Sequence, residues 1–161
     1  FHKGLHTDAA VAVMLGNVPD AVRDFVYTAQ KAFEKALAVL KPGNRIGDIG
    51  FAIQNYVESR GYSIVRDYTG HGVGRNLHEQ PEILNFGKKG KGALIVPGMT
   101  LAIEPIIAKG ARFSKILPDK WTAITKDGSL SCQIEHSIAI TPSGYEILTM
   151  YDNSINCIYS Q

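Results

Sequence analysis

Residues 20–61 read DAVRDFVYTAQKAFEKALAVLKPGNRIGDIGFAIQNYVESRG, and this stretch decides the fold. Pro19-Asp20 opens a helix in which Val22, Phe25, Val26, Ala29, Phe33, Ala36, Leu37 and Leu40 keep the i, i+3, i+4, i+7 spacing of one buried face. Pro42-Gly43 stops it. A second helix is expected over about 45–60, with Ile46, Ile49, Ile53 and Val57 inward and Gly61 as its C-terminal stop. Beyond Gly61 the hydrophobic period changes from helical to extended. Strands are expected at 62–66, 100–108, 121–125, 133–141 and 145–149, the last two joined by a tight Pro142-Ser143-Gly144 connection. The glycine-dense segment after residue 66 reads as a loop through Gly74. Upstream, the valine-rich run LHTDAAVAVMLG at 5–16 reads as a strand covered on both faces. Two helices followed by a mostly antiparallel sheet define an α+β domain.

The 161 residues, 45% hydrophobic with mean hydropathy −0.04, supply enough apolar mass for a core, so disorder is excluded as the default. Seventeen Lys and Arg against fifteen Asp and Glu leave a net charge of +2, too little to indicate nucleic acid. The run Lys88-Lys89-Gly90-Lys91 is short and glycine-broken, which fits a solvated loop. No apolar run approaches the roughly 18 residues of a membrane span. Cys132 and Cys157, in a chain with no recognisable signal peptide, point to a reducing compartment rather than a disulfide framework. The chain opens Phe1-His2-Lys3-Gly4 without an initiator methionine, so it reads as a piece of something longer. Heptads, low-complexity tracts and internal repeats are absent from the sequence.

Acids inside apolar strands carry the functional signal, because burying an unpaired carboxylate is expensive. Asp8 heads the DAAVAV run, Glu104 lies in LAIEPII, and Glu135 lies in CQIEHSIAI. A cap or a salt bridge explains any one of them. Three in separate strands call for a shared explanation, and a divalent cation neutralises converging carboxylates that would otherwise repel. The stretch GHGVGRNLHE adds His71 and His78, with glycines flanking His71 where a backbone must approach something closely. Carboxylates with one imidazole suit manganese, iron, cobalt or zinc, and pairs of such ions activate water and clamp a polar substrate. Alternation puts Gln133 on the face of Glu135, lining the same site, and sends His136 to the opposite face as a core histidine. His6 shares the face of Asp8, as a structural residue or a site neighbour. A dinucleotide loop is excluded at Gly70-x-Gly72-x-Gly74, since Arg75 is not the required glycine and no helix follows.

Three blocks match a known family. GHGVGRNLHEQPEI from Gly70, PGMTLAIEP from Pro97 and WTAITKDGSLSCQIEHSIAIT from Trp121 resemble methionine aminopeptidase of the first type, within peptidase family M24. Prolidases and Xaa-Pro aminopeptidases share the histidine-glycine loop and the IEP segment but not the tryptophan block. The resemblance runs from about Leu5 to Thr149 and covers the C-terminal half of that family plus one preceding strand. It implies the pita-bread fold, here incomplete, with residues 1–161 forming a single partial catalytic domain. It also implies cytoplasmic removal of the N-terminal methionine from nascent polypeptides, by water activated at two divalent ions (cobalt, manganese, iron or zinc).

By position, the resemblance makes Asp8 and Glu135 bridging ligands, with His71 and Glu104 completing one metal. His78 would hydrogen-bond the substrate, Glu104 would shuttle a proton, and Leu77, Trp121 and Gln133 would line the substrate site. The family's first metal-binding aspartate falls before Phe1, so at most one well-held ion and negligible activity are expected of these residues alone. Leu77 stands where the family usually has an aromatic residue, a change that would reshape the methionine pocket. A transient encounter with the ribosome, a monomeric complete enzyme, and no membrane or nucleic-acid partner are also expected. Two other functions remain open on these residues: a prolidase-like peptidase acting on Xaa-Pro bonds, and a non-catalytic pita-bread module that binds other macromolecules.

Overall fold

The computed structural model describes residues 1–150. Helix α1 covers Asp20–Val39 and α2 covers Ile46–Ser59, within a residue or two of the sequence reading. Their inward faces are the expected ones: Phe25, Ala29, Phe33 and Ala36 on α1, and Ile46, Ile49, Ile53 and Val57 on α2, are all buried. The first turn of α2 is closed by Asp48, whose carboxylate accepts from the Arg45 main chain at 2.8 Å and from Gly90 N–H at 2.8 Å. Burial opposes these donors, yet they hold the Asp48 carboxyl below its ordinary value, the Arg45 N–H foremost. Gly90 belongs to the lysine-rich segment, whose lysines are solvent-exposed as expected while its backbone is pinned to the helix.

The strands are β1 (Ala9–Ala10), β2 (Ser63–Ile64), β3 (Gly70–Gly72), β4 (Glu79–Ile83), β5 (Thr100–Ile103), β6 (Ile106–Ala108), β7 (Ser114–Ile116), β8 (Ala123–Thr125), β9 (Ser131–Gln133), β10 (Glu135–Thr141) and β11 (Gly144–Ile147). A six-stranded sheet has the order β1-β10-β5-β3-β4, with β11 also on β10; β2-β6-β9 form a second sheet and β7-β8 a hairpin. Every described pairing is antiparallel. This is the α+β class read from the sequence, and its main sheet and helices enclose one continuous core.

Several expectations change. The strand expected over 100–108 is two strands in different sheets, parted at Glu104-Pro105, and the one over 133–141 is parted at Ile134. Proline cannot donate to a ladder, which explains the first break. The 5–16 run joins the main sheet at Ala9–Ala10; Ala12 and Met14 pack on the core while Val13 and Leu15 are exposed, so it is covered on one face rather than two. Residue 71 lies on strand β3, not in a loop. Strand β4 escaped the sequence reading because it contains Pro81, which its position at the sheet edge tolerates. Cys157 lies outside the described residues.

Helix α2 crosses the 84–91 segment closely. A Cβ on Gly50 would stand 2.5 Å from the carbonyl oxygens of both Leu84 and Phe86. Helix propensity favours alanine there by about 1 kcal/mol, but relieving two backbone contacts costs about 1–3 kcal/mol or more. Gly50→Ala is therefore expected to lower stability in urea unfolding despite its better helix propensity.

Candidate metal centre

Strand register assembles the site. His136 faces Ile103 and Ser137 faces Ala102 across β10 and β5, while Ala102 faces His71 across β5 and β3. Directly opposed residues share a face, so Ser137, Ala102 and His71 form one row. Glu135 and Glu104, two positions along their strands, lie on the same face at the next level. Asp8 precedes β1 and joins the first row through its N–H, which donates to Ser137 Oγ at 2.8 Å. Ser137 and Ala102, small and fully buried, make the floor over which the longer side chains converge.

His71 Nε2 lies 3.9 Å from Asp8 Oδ2 and 3.8 Å from Glu104 Oε1. Its Nδ1 is 2.8 Å from the Gly72 carbonyl, which can only accept, so Nδ1 donates there and Nε2 is the ring nitrogen that faces the acids. Gln133 Nε2 donates to Glu104 Oε2 at 3.0 Å and to Glu135 Oε2 at 3.2 Å, tying the two acids together. His71, Glu104 and Glu135 offer ligand atoms within 4.8 Å of one another, and so do Asp8, His71 and His78. His78 is exposed, its ring edge-on to His71 at 4.3 Å between centroids.

The donor set fits a divalent cation. Among the described residues, no lysine or arginine pairs with Asp8, Glu104 or Glu135. Glu135 Oε1 is buried with no hydrogen-bond partner there, an arrangement that carries a desolvation penalty unless a cation receives it. Burial, then the charges of Glu135 and Asp8, push the Glu104 carboxyl up to about 8. Burial and Asp8 push Glu135 up to about 7, against the opposing hydrogen bond from Gln133. Three carboxylates and one imidazole suit manganese, iron, cobalt or zinc and do not choose among them.

Asp8, His71, Glu104, Glu135, Gln133 and His78 thus come together as expected from the sequence. Leu77, 39% exposed, adjoins His78 in the chain, but Trp121 stands apart, 88% exposed at the tip of the β7–β8 hairpin. A cavity of about 410 Å³ opens beside Glu104 and Gln133, lined also by Val65, Tyr68, Ile106, Ile124 and Cys132, and Trp121 is not part of its wall. The glycines flanking His71 serve neighbouring strands rather than a ligand: a Cβ on Gly70 would meet the Ala102 carbonyl at 2.5 Å, and one on Gly72 would collide with that of Gln80. His136 is on the opposite face, against the Phe33 ring at 5.2 Å. His6 donates its main-chain N–H to Gly74 O at 2.7 Å, a structural role. The sequence reading missed Asn85, fully buried, whose Nδ2 donates to the Glu104 carbonyl at 2.8 Å and fixes the strand break. A polar residue following Ile83-Leu84 is the same signal that exposed the acids.

This donor set could hold a metal ion, and the comparisons show the family in which it occurs. Residues 1–142 match metallopeptidase family M24, and the chain belongs to that family. It is 44% identical to methionine aminopeptidase 1 of Bacillus subtilis over 91% of this chain and 59% of that protein. Identity to the Escherichia coli methionine aminopeptidase is 39%, over 98% of this chain and 60% of that one. The crystal structure of methionine aminopeptidase from Thermotoga maritima superposes with a TM-score of 0.90 at 46% identity, over 92% of this chain and 60% of that chain. The architecture is the pita-bread fold of those structures, and the chain spans about 60% of their length. Prolidase from Pyrococcus furiosus, TM-score 0.72 at 22% identity, shares the fold alone.

The raised carboxyls set a pH dependence. Unfolding returns Glu104 and Glu135 toward 4.5, so between about 4.5 and 8 the metal-free folded state holds more protons than the unfolded one. Stability of the metal-free chain should then fall as pH rises through this window. An ion that displaces those protons should stabilise more at the alkaline end. Melting temperatures from about pH 5 to about pH 8, in chelator and in excess manganese, should diverge with rising pH.

Proposed function

We propose that this chain carries the catalytic centre of a methionine aminopeptidase, forming part of one metallopeptidase domain. The observation that carries it is the convergence of Asp8, His71, Glu104 and Glu135 without a neutralising side chain among the described residues, on a scaffold most of whose length is similar to methionine aminopeptidases. These four residues would hold divalent metal. A divalent ion there supplies Lewis acidity, lowering the pKa of water and polarising a peptide carbonyl.

The chain's own residues do the rest. Glu104 takes up the proton released as water adds to the carbonyl and returns it to the departing amine. His78, solvent-facing beside His71, donates to the substrate peptide oxygen. Gln133 keeps the two glutamates in register, and its other side borders the cavity lined by Tyr68, Ile106 and Ile124. That cavity, with both apolar and polar side chains in its wall, receives a side chain next to the scissile bond. Leu77 shapes its approach from the His78 side, and Trp121 contacts substrate from its exposed hairpin. The substrate is the amino terminus of a nascent polypeptide, met in the cytoplasm near the ribosome. No described helix is long and apolar enough to cross a membrane.

The test compares methionine release from Met-Ala peptides with release of Xaa from Xaa-Pro peptides by this chain combined with the segment of its relatives that it does not span, supplied with each candidate ion; these residues alone are expected to turn over negligibly. Methionine release is expected to dominate; selective Xaa-Pro cleavage would make the protein prolidase-like, and ion binding without cleavage of either would favour a binding module. Glu135→Gln should lose metal and activity together, by about a hundredfold or more, whereas His136→Gln should mainly lower the melting temperature.

A further inference from the structure

The edge of β10 is shared by two strands. Residues from Ile138 to Thr141 pair with β11, while Glu135 and His136 pair with β1. Ser137 sits at the changeover, fully buried. Its carbonyl accepts from Leu148 N–H at 2.8 Å, and its own N–H donates to Thr149 Oγ1 at 3.1 Å. The register that pairs Ala10 with Glu135 and Ala9 with His136 brings Asp8 opposite Ser137, whose main chain is already committed to the other side.

The side chain takes over there. Ser137 Oγ accepts from Asp8 N–H at 2.8 Å and donates to the Asp8 carbonyl at 2.8 Å. A hydroxyl carries one donor and two acceptor lone pairs, so a single atom satisfies both peptide groups of Asp8. Two residues back along the same strand stands Glu135, on the same face.

We propose that Ser137 is a positioning residue of the metal centre: its buried hydroxyl replaces the missing ladder bonds and sets where the Asp8 carboxylate stands relative to Glu135. This rests on the metallopeptidase reading for its functional consequence, though not for the bond itself. Outer partners that orient ligands are typically worth about 10–100-fold in metal affinity. Removing the hydroxyl frees Asp8 to drift while leaving its carboxylate chemistry intact.

Calorimetric titration of the metal-free chain with cobalt(II) compares wild type, Ser137→Ala and Ser137→Thr, alongside melting temperatures in chelator and exchange of the Asp8 amide by NMR. Ser137→Ala is expected to bind about 10–100-fold more weakly, with faster Asp8 exchange and a melting temperature within a few degrees of wild type. Ser137→Thr, which keeps the hydroxyl, should restore both affinity and protection. Should the alanine variant not fold, Ser137→Cys carries the same test, since it keeps the volume and loses the strong donor and acceptor. Wild-type affinity in the alanine or cysteine variant, or equal loss in the threonine variant, overturns the proposal. If wild type itself binds no cobalt, the metallopeptidase reading fails, and unchanged Asp8 exchange in Ser137→Ala would separately overturn the role of Ser137.

Discussion

The pairing of β5 with β10 is the constraint on which the site depends. Setting His136 against Ile103 places Glu104 beside Glu135 and sends both carboxylates to the face away from α1. A slip of one residue would invert every side chain, bringing the acids into the apolar layer and His136 into the site. Leu101, Ile103, Ile134 and Ile138 oppose such a slip, because all four are fully buried and together they hold the register.

That register also makes the site electrostatically incomplete. Two buried glutamates joined by one Gln133 amide, with Asp8 facing them across His71, hold more negative charge than the described neighbours neutralise. Burial first, and the neighbouring carboxylate charges second, displace both glutamates upward, so without a cation the centre retains protons. The chemistry proposed for the protein uses the same imbalance: a cavity that penalises free carboxylates rewards a divalent ion.

The helices and the acids were legible in the sequence for related reasons. A helical face repeats along the 20 residues of α1, so its signal accumulates, and an acid within an apolar strand stands out against its neighbours. The alternation that put Gln133 with Glu135 and His136 opposite also held, although a sheet change intervenes at Ile134. What stayed hidden was set by tertiary contact. Pro105 interrupts its own ladder, but that the segment at Ile134 changes sheet alongside it, Ile134 N–H donating to the Pro105 carbonyl at 3.3 Å, depends on how the two segments pack. Apolar alternation is the same on both sides of such a break. One-sided cover of the valine-rich run, the strand role of Gly70 and Gly72, and the exposure of Trp121 likewise depend on which neighbours pack there.

Anomalous diffraction from crystals grown with manganese tests the central claim most directly. The account predicts a peak about 2.0–2.2 Å from carboxylate oxygens of Glu104 and Glu135 and from His71 Nε2, with Glu135 Oε1 among the ligands. Crystals that show no peak at saturating manganese, or a peak only at surface carboxylates while Glu104 and Glu135 share a proton, would contradict it.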